Sequence, residues 1–264
     1  MRPNTHITVG TSFSASGYEQ YGRNFIMSFL SYWDPTINLI VAHEGGTPDI
    51  KDTRVSYIKL DETPEFKLFC ETTTAPVYQG RHKRACDPWT SKSYDAGYNF
   101  RFDAHKFGKK ILGMYRAYMA SPRGYFVWVD ADVVTFNSVA ASFIHTLFVP
   151  GKAVTRLYRG PNYHSECGFI GFDTREHAAR MLLYTLHNAY VKHGFVNMRE
   201  WHDSYIFDHL IDDLQVATYD LPHTSKGHPF VNSCLGAYMD HLKGDKRKAR
   251  GRSFTEDYTI EKSR

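Results

Sequence analysis

The sequence predicts an α/β protein: a mixed central sheet flanked by helices, in a single domain spanning 1–264. Three observations carry this. Apolar runs of strand length alternate with segments that repeat at helical spacing. The 264 residues are ample for one buried core. Hydrophobic residues at 42% and charged residues at 23% are ordinary for a globular chain and exclude a disordered one.

The elements follow in order. "HITVGT" (6–11) predicts a strand. "GYEQYGRNFIMSFLSYW" (17–33) predicts a helix, with Tyr21, Phe25, Phe29, Leu30 and Trp33 on one face. "TINLIVAHEG" (36–45) and "RVSYIKLD" (54–61) are further strands. The stretch 72–99 looks irregular, and a loop of that length is usually functional or mobile. "RFDAHKFGKKILGMYRAYMAS" (101–121) is a strong helix, and Lys106 and Lys110, four apart, share a face of it. "GYFVWVDADVVTF" (124–136) is an apolar strand ending in two aspartates. "NSVAASFIHTLF" (137–148) predicts a helix capped by Asn137 or Ser138. "AVTRLYR" and "CGFIGFD" are strands, and the segments from Thr174 and from Arg199 are helices. The remainder reads as short strands and loops ending in a basic tail.

Charge is concentrated rather than spread. The chain carries a net +4, yet "KGDKRKARGR" (243–252) alone holds six basic residues and one acid. Such a segment is either a solvated tail or an anion site. The four cysteines are scattered with no CxxC pair, which argues against a zinc or disulfide framework and suggests a reducing compartment. No apolar leader or membrane-length run is legible. The expected location is the cytoplasm, or the host cytoplasm if the protein is viral.

The chemistry is suggested by Asp130 and Asp132. Ligands of open α/β sheets bind beyond the carboxyl ends of strands. Two carboxylates delivered there by a rigid apolar strand can converge on a cation, and hard oxygens select Mg2+ or Mn2+. Solvated aspartates in a strand-end turn are the bland alternative.

"VWVDADVV" resembles the DxD motif of GT-A glycosyltransferases, a Rossmann-like fold in which the motif follows a central strand about halfway along the chain. "HLKGDKR", from His241, is similar to the H-x-x-G-x-x-K segment of glycogenin-like and lipopolysaccharide galactosyltransferase-like enzymes, although here Arg-Lys-Ala follows where those enzymes have Lys-Pro-Trp. The resemblance implies a glycosyltransferase moving a sugar from a nucleotide-diphosphate sugar, by preference a UDP-sugar, to an acceptor hydroxyl. It implies Mn2+ (or Mg2+) held by Asp130, Asp132 and His241. Asp130 would alternatively meet the sugar–ribose end of the donor. Gly244, Lys246 and Arg247 would wrap the diphosphate, with Lys248 as a near alternative. Thr11, Phe13 and Tyr18, in or after the first strand, would grip base and ribose, and Lys106 and Lys110 would contact phosphate or sugar. The halves divide at 1–136, nucleotide-sugar binding, and 137–264, acceptor binding.

An inverting transferase needs a base for the acceptor hydroxyl. Asp203 and then Glu166 are the candidates, against helix capping for Asp203. The acceptor would be a glycan or lipid-linked sugar, or a hydroxymethylated DNA base extruded into the site. Three rival readings stand beside this one. "DADVV" resembles the nucleophile motif of haloacid-dehalogenase-type phosphohydrolases, with Asp212 and Asp213 as a distal metal pair. A nucleotidyltransferase would share the metal chemistry. A nucleic-acid-binding module would rest on the basic tail and "RHKR" (81–84).

Overall fold

The computed structural model describes residues 5–81, 97–160, 163–224 and 228–258. Its strands are β1 (Ile7–Phe13), β2 (Asn38–His43), β3 (Val55–Lys59), β4 (Tyr125–Val129), β5 (Val133–Thr135), β6 (Val154–Tyr158), β7 (Ser165–Asp173), β8 (Thr218–Asp220) and β9 (Met239–His241). Seven of these form one sheet among the described residues, in the order β3-β2-β1-β4-β7-β6-β8. β1 to β4 run parallel, β7 is antiparallel to β4 and to β6, and β8 is parallel to β6. This is the mixed α/β sheet that the sequence predicts.

The strand period of two explains the layers. On β4, Phe126 and Trp128 face one core, with Ile111, Phe69 and Phe207. Val127 and Val129 face the other, with Phe25, Phe29 and Val9. Helices cover both faces. α3 (Pro64–Thr72), α4 (Ala104–Ala120), α6 (His177–Val191) and α7 (Asp203–Asp213) contribute to the first core, and α2 (Arg23–Tyr32) and α5 (Ala141–Thr146) to the second. A sheet buried on both sides needs near-continuous apolar strands, which is what the runs of β2 and β4 supply.

Three predicted elements differ. The helix over 17–33 is wound in three pieces: one turn, α1 (Ala15–Gly17), then a π-helical turn over Tyr18–Gly22, then α2. The helix over 137–148 shrinks to α5, and neither Asn137 nor Ser138 caps it. Residues before it are held extended instead: Val139 N donates to Tyr32 O (2.8 Å) and the Asn137 amide to Ala237 O (2.7 Å). The basic tail is not a bare coil. It forms α8 (Asp245–Arg250), entered through Gly244 at φ 79°, a left-handed-side conformation that glycine adopts without strain.

The small β5–β9 ladder positions the site. Immediately after the DxD turn, β5 pairs antiparallel with β9, placing Val133 opposite His241. Leu242 N donates to Asp132 O (2.9 Å). Backbone pairing therefore brings a histidine from the chain's far end to the aspartates.

Candidate active site

A cleft of about 990 Å³ opens at the carboxyl ends of β1 and β4. Asp130 and Asp132 both line it, with the Ala131 side chain turned into the core. The side chains fit the strand-end geometry: Asp130 N donates to Gly168 O on β7 (3.0 Å), and Val133 N closes the turn onto Asp130 O (3.0 Å).

His241 Nε2 lies 3.0 Å from Asp132 Oδ1 and 4.0 Å from Asp130 Oδ2. One ligating atom from each of the three can lie within 4.8 Å of the others. Two carboxylates and an imidazole suit Mn2+ or Mg2+, so these residues fit the implied metal. The other Asp132 oxygen is 3.1 Å from Lys248 Nζ. Asp130 is more heavily engaged. Its Oδ1 accepts from Trp128 Nε1 (2.8 Å) and lies 2.7 Å from Lys110 Nζ, and its Oδ2 is 2.9 Å from the same ammonium.

The electrostatics follow from burial against these partners. Burial pushes the Asp132 carboxyl up, but His241 and Lys248 outweigh it and hold it well below the usual range. For Asp130 burial wins over Lys110 and His241, and its carboxyl is raised. Burial disfavours the His241 imidazolium, yet Asp132 and Glu166 raise its pKa to about 9. Lys110 is desolvated, but Asp130 and Asp203 hold it protonated above its ordinary value. Asp203 is pulled below the usual range by Lys110 despite its burial.

Several other expected residues share the cleft. Phe13, Lys106, Lys110, Glu166, Asp203 and Gly244 all line it. Asp203 is the first residue of α7, its Oδ2 2.7 Å from Lys110 Nζ and its Oδ1 accepting from Ser204 N (2.8 Å).

Four expected residues lie elsewhere. Thr11 points into the core, its hydroxyl buried away from the cleft. The Tyr18 ring packs in the core against Phe13 with its hydroxyl held by Asp49 and Arg23, and the π-helical turn presents Tyr21 to the cleft instead. Arg247 pairs with Asp257 across the tail, and Lys246 is exposed outside the cleft. The cations facing the cleft from this segment are Lys243 and Lys248. Lys248 also sits 4.5 Å from the Tyr21 ring. Asp212 and Asp213 are exposed at the far end of α7, away from Asp130, so the distal pair required by the phosphohydrolase reading is not assembled. Of "RHKR", 82–84 fall outside the described residues.

No motif joins His164, Glu200 and His202 in sequence, yet their ligating atoms also lie within 4.8 Å of one another. His202 Nε2 is 2.9 Å from Glu200 Oε2. Two guanidiniums, Arg101 (3.6 Å) and Arg199 (3.4 Å), already flank that carboxylate, which disfavours a cation there.

No protein-family model and no curated protein matches the sequence. The chain is similar to solved glycosyltransferases. The apo form of the glycosyltransferase GlyE from Streptococcus pneumoniae TIGR4 superposes over 82% of this chain and 46% of its own, at 11% identity and a TM-score of 0.46. Mouse xyloside xylosyltransferase 1 superposes over 82% of this chain and 84% of its own, also at 11% identity and 0.46. The chain thus spans about half the length of GlyE. Among the described residues no helix is long and apolar enough to cross a membrane.

Proposed function

We propose that this protein is a metal-dependent glycosyltransferase that takes a sugar from a nucleoside-diphosphate donor, by preference a UDP-sugar, to an acceptor hydroxyl. One observation carries the reading: Asp130, Asp132 and His241 converge in a single cleft with Lys248 beside them. A bound Mn2+ or Mg2+ would supply Lewis-acid stabilisation of the leaving diphosphate. Asp132 and His241 would hold it, with Asp130 completing the set.

The chain's own residues supply the rest. Lys248 adds positive charge where the diphosphate gains negative charge. Phe13 and Tyr21 offer rings at the β1 side, where base and ribose would lie. Lys110 locks Asp130 against Asp203 and orients both towards the donor sugar. Asp203 is the first candidate to receive the acceptor proton, and its ion pair with Lys110 makes it a weak base until that pair loosens.

Calorimetry tests the reading. Wild-type protein should bind UDP with Mn2+, and Asp132→Ala should abolish the metal-dependent part. Equal affinities in the two proteins would remove its basis. A screen of UDP- and GDP-sugars by nucleotide release would identify the donor.

A second reading of the acceptor draws on four further lining residues. Phe100, Phe107, Arg159 and Tyr163 supply three rings and a guanidinium, which would suit an extruded DNA base as well as a glycan. Duplex DNA binding that weakens steeply with salt would support a DNA acceptor, and salt-insensitive or absent binding would count against it.

A further inference from the structure

We infer that Glu166 is a positioning residue for His241 rather than a group that meets the sugar. The inference rests on the metal-site reading above and assigns a further part to it.

The geometry is a socket around one imidazole. His241 uses Nε2 towards Asp132. Its other nitrogen, Nδ1, is buried and lies 3.3 Å from Glu166 Oε1, short of the alignment of a formed hydrogen bond. The opposite oxygen, Oε2, takes the Lys243 ammonium at 2.5 Å. Glu166 is only 2% exposed, so its charge is set by these two partners and not by water.

The surrounding contacts leave His241 little alternative. A Cβ at position 168 would lie 2.4 Å from His241 Nδ1, so only glycine admits the ring. Phe230 and His228 stand edge-on to it, with centroids 5.5 and 5.9 Å away. Glu166 itself is anchored from below. Its neighbour Ser165 donates from N and Oγ to the buried carboxylate of Asp208, each at 2.6 Å, and Asp208 is pinned by Arg156 at 2.8 Å.

A histidine that binds a cation through one nitrogen commonly donates its other N–H to a carboxylate, which fixes tautomer and ring orientation. Glu166 is placed for that acceptor role. Donation from Nδ1 leaves the Nε2 lone pair facing Asp132 and the cation. Glu166 thereby joins β7 to the DxD turn through His241, and Lys243 neutralises the excess charge.

Mn2+ binding to the full chain, followed by calorimetry without nucleotide, tests this. Glu166→Gln should weaken Mn2+ binding by about 10–100-fold, while thermal unfolding shows the protein still folded. The same change made in a His241→Ala background should cost almost nothing further, because the residue it orients is gone. Two results would overturn the inference: Glu166→Gln binding Mn2+ as tightly as wild type, or equal losses in both backgrounds. If Glu166 met the sugar instead, Glu166→Gln would keep Mn2+ affinity and lose only turnover. Wild-type protein that binds no Mn2+ would reject the metal-site reading itself, and this assignment with it.

Discussion

The Lys110 ammonium lies 2.7 Å from a carboxylate oxygen of Asp130 and 2.7 Å from one of Asp203, so a single buried cation ties the DxD strand to the start of α7. A third contact, to Cys167 O at 3.0 Å, fills the ammonium's remaining donor. Removing that charge strands two carboxylates in a poorly solvated site. Lys110→Met should therefore destabilise the fold by about 3 kcal/mol. Urea unfolding measures it, and a loss below about 1 kcal/mol would show that water reaches the carboxylates freely.

Gly168→Ala should damage the site out of proportion to its size. The added methyl would sit 2.4 Å from His241 Nδ1. Overpacking of this kind costs about 1–3 kcal/mol. Because the ring must move, Mn2+ affinity should fall with it. A variant with wild-type stability and wild-type Mn2+ binding would mean that the ring relaxes without leaving Asp132.

Lys248 and Arg247 are adjacent in sequence yet should behave differently. Lys248→Ala removes a cation 3.1 Å from Asp132, and UDP–Mn2+ affinity should drop about tenfold or more. Arg247→Ala breaks the pair with Asp257, so its effect should appear in the stability of the tail and less in nucleotide binding. Calorimetry on the two variants decides between them; the reverse order would return the phosphate contact to Arg247.

Stability should fall on mild acidification. Burial holds the pKa values of His43, His105 and His145 below the ordinary 6.5. The unfolded chain binds more protons than the folded one between those depressed values and 6.5. Their stabilising contribution is complete above pH 6.5 and is lost as the pH drops through that window. His241, raised to about 9, works in the opposite direction above pH 6.5, so the comparison is between proteins: the stability change from pH 7.5 to 5.5, read from denaturant midpoints, should be less unfavourable in His43→Leu, which has no proton to take up, than in wild type. An unchanged gap in that variant would remove His43 from the account.

What was legible in the sequence depended on how local the signal was. The strand ending in Asp130 and Asp132 was readable because five apolar residues precede the charges. His241 was readable from its spacing to Gly244 and the basic cluster. The phosphate contact expected of Lys246 and Arg247 is proposed instead for Lys248: α8 turns about 100° per residue, so Lys248 lines the cleft while Arg247 pairs with Asp257. Tyr21 and not Tyr18 lines the cleft, because a π-helical turn cannot be told from an α-helical one by apolar spacing. Glu166 was singled out as a base candidate, but its closeness to His241 was not legible, because it depends on the register of β7 against β4 and of β9 against β5. The Glu200–His202 pair was invisible because neither residue belongs to a motif.

The pairing of β5 with β9 also dictates when the site can exist. His241 meets Asp132 across a separation of 109 residues, so the nucleating contacts of a growing chain cannot include it. On the ribosome, β1 to β4 are synthesised long before β9 emerges. A nascent chain halted before Met239 would hold β1 to β8 but lack His241, which β9 sets against Asp132. On the proposed metal-site reading, Mn2+ binding should be gained only by chains long enough to include β9, which truncation on either side of His241 measures.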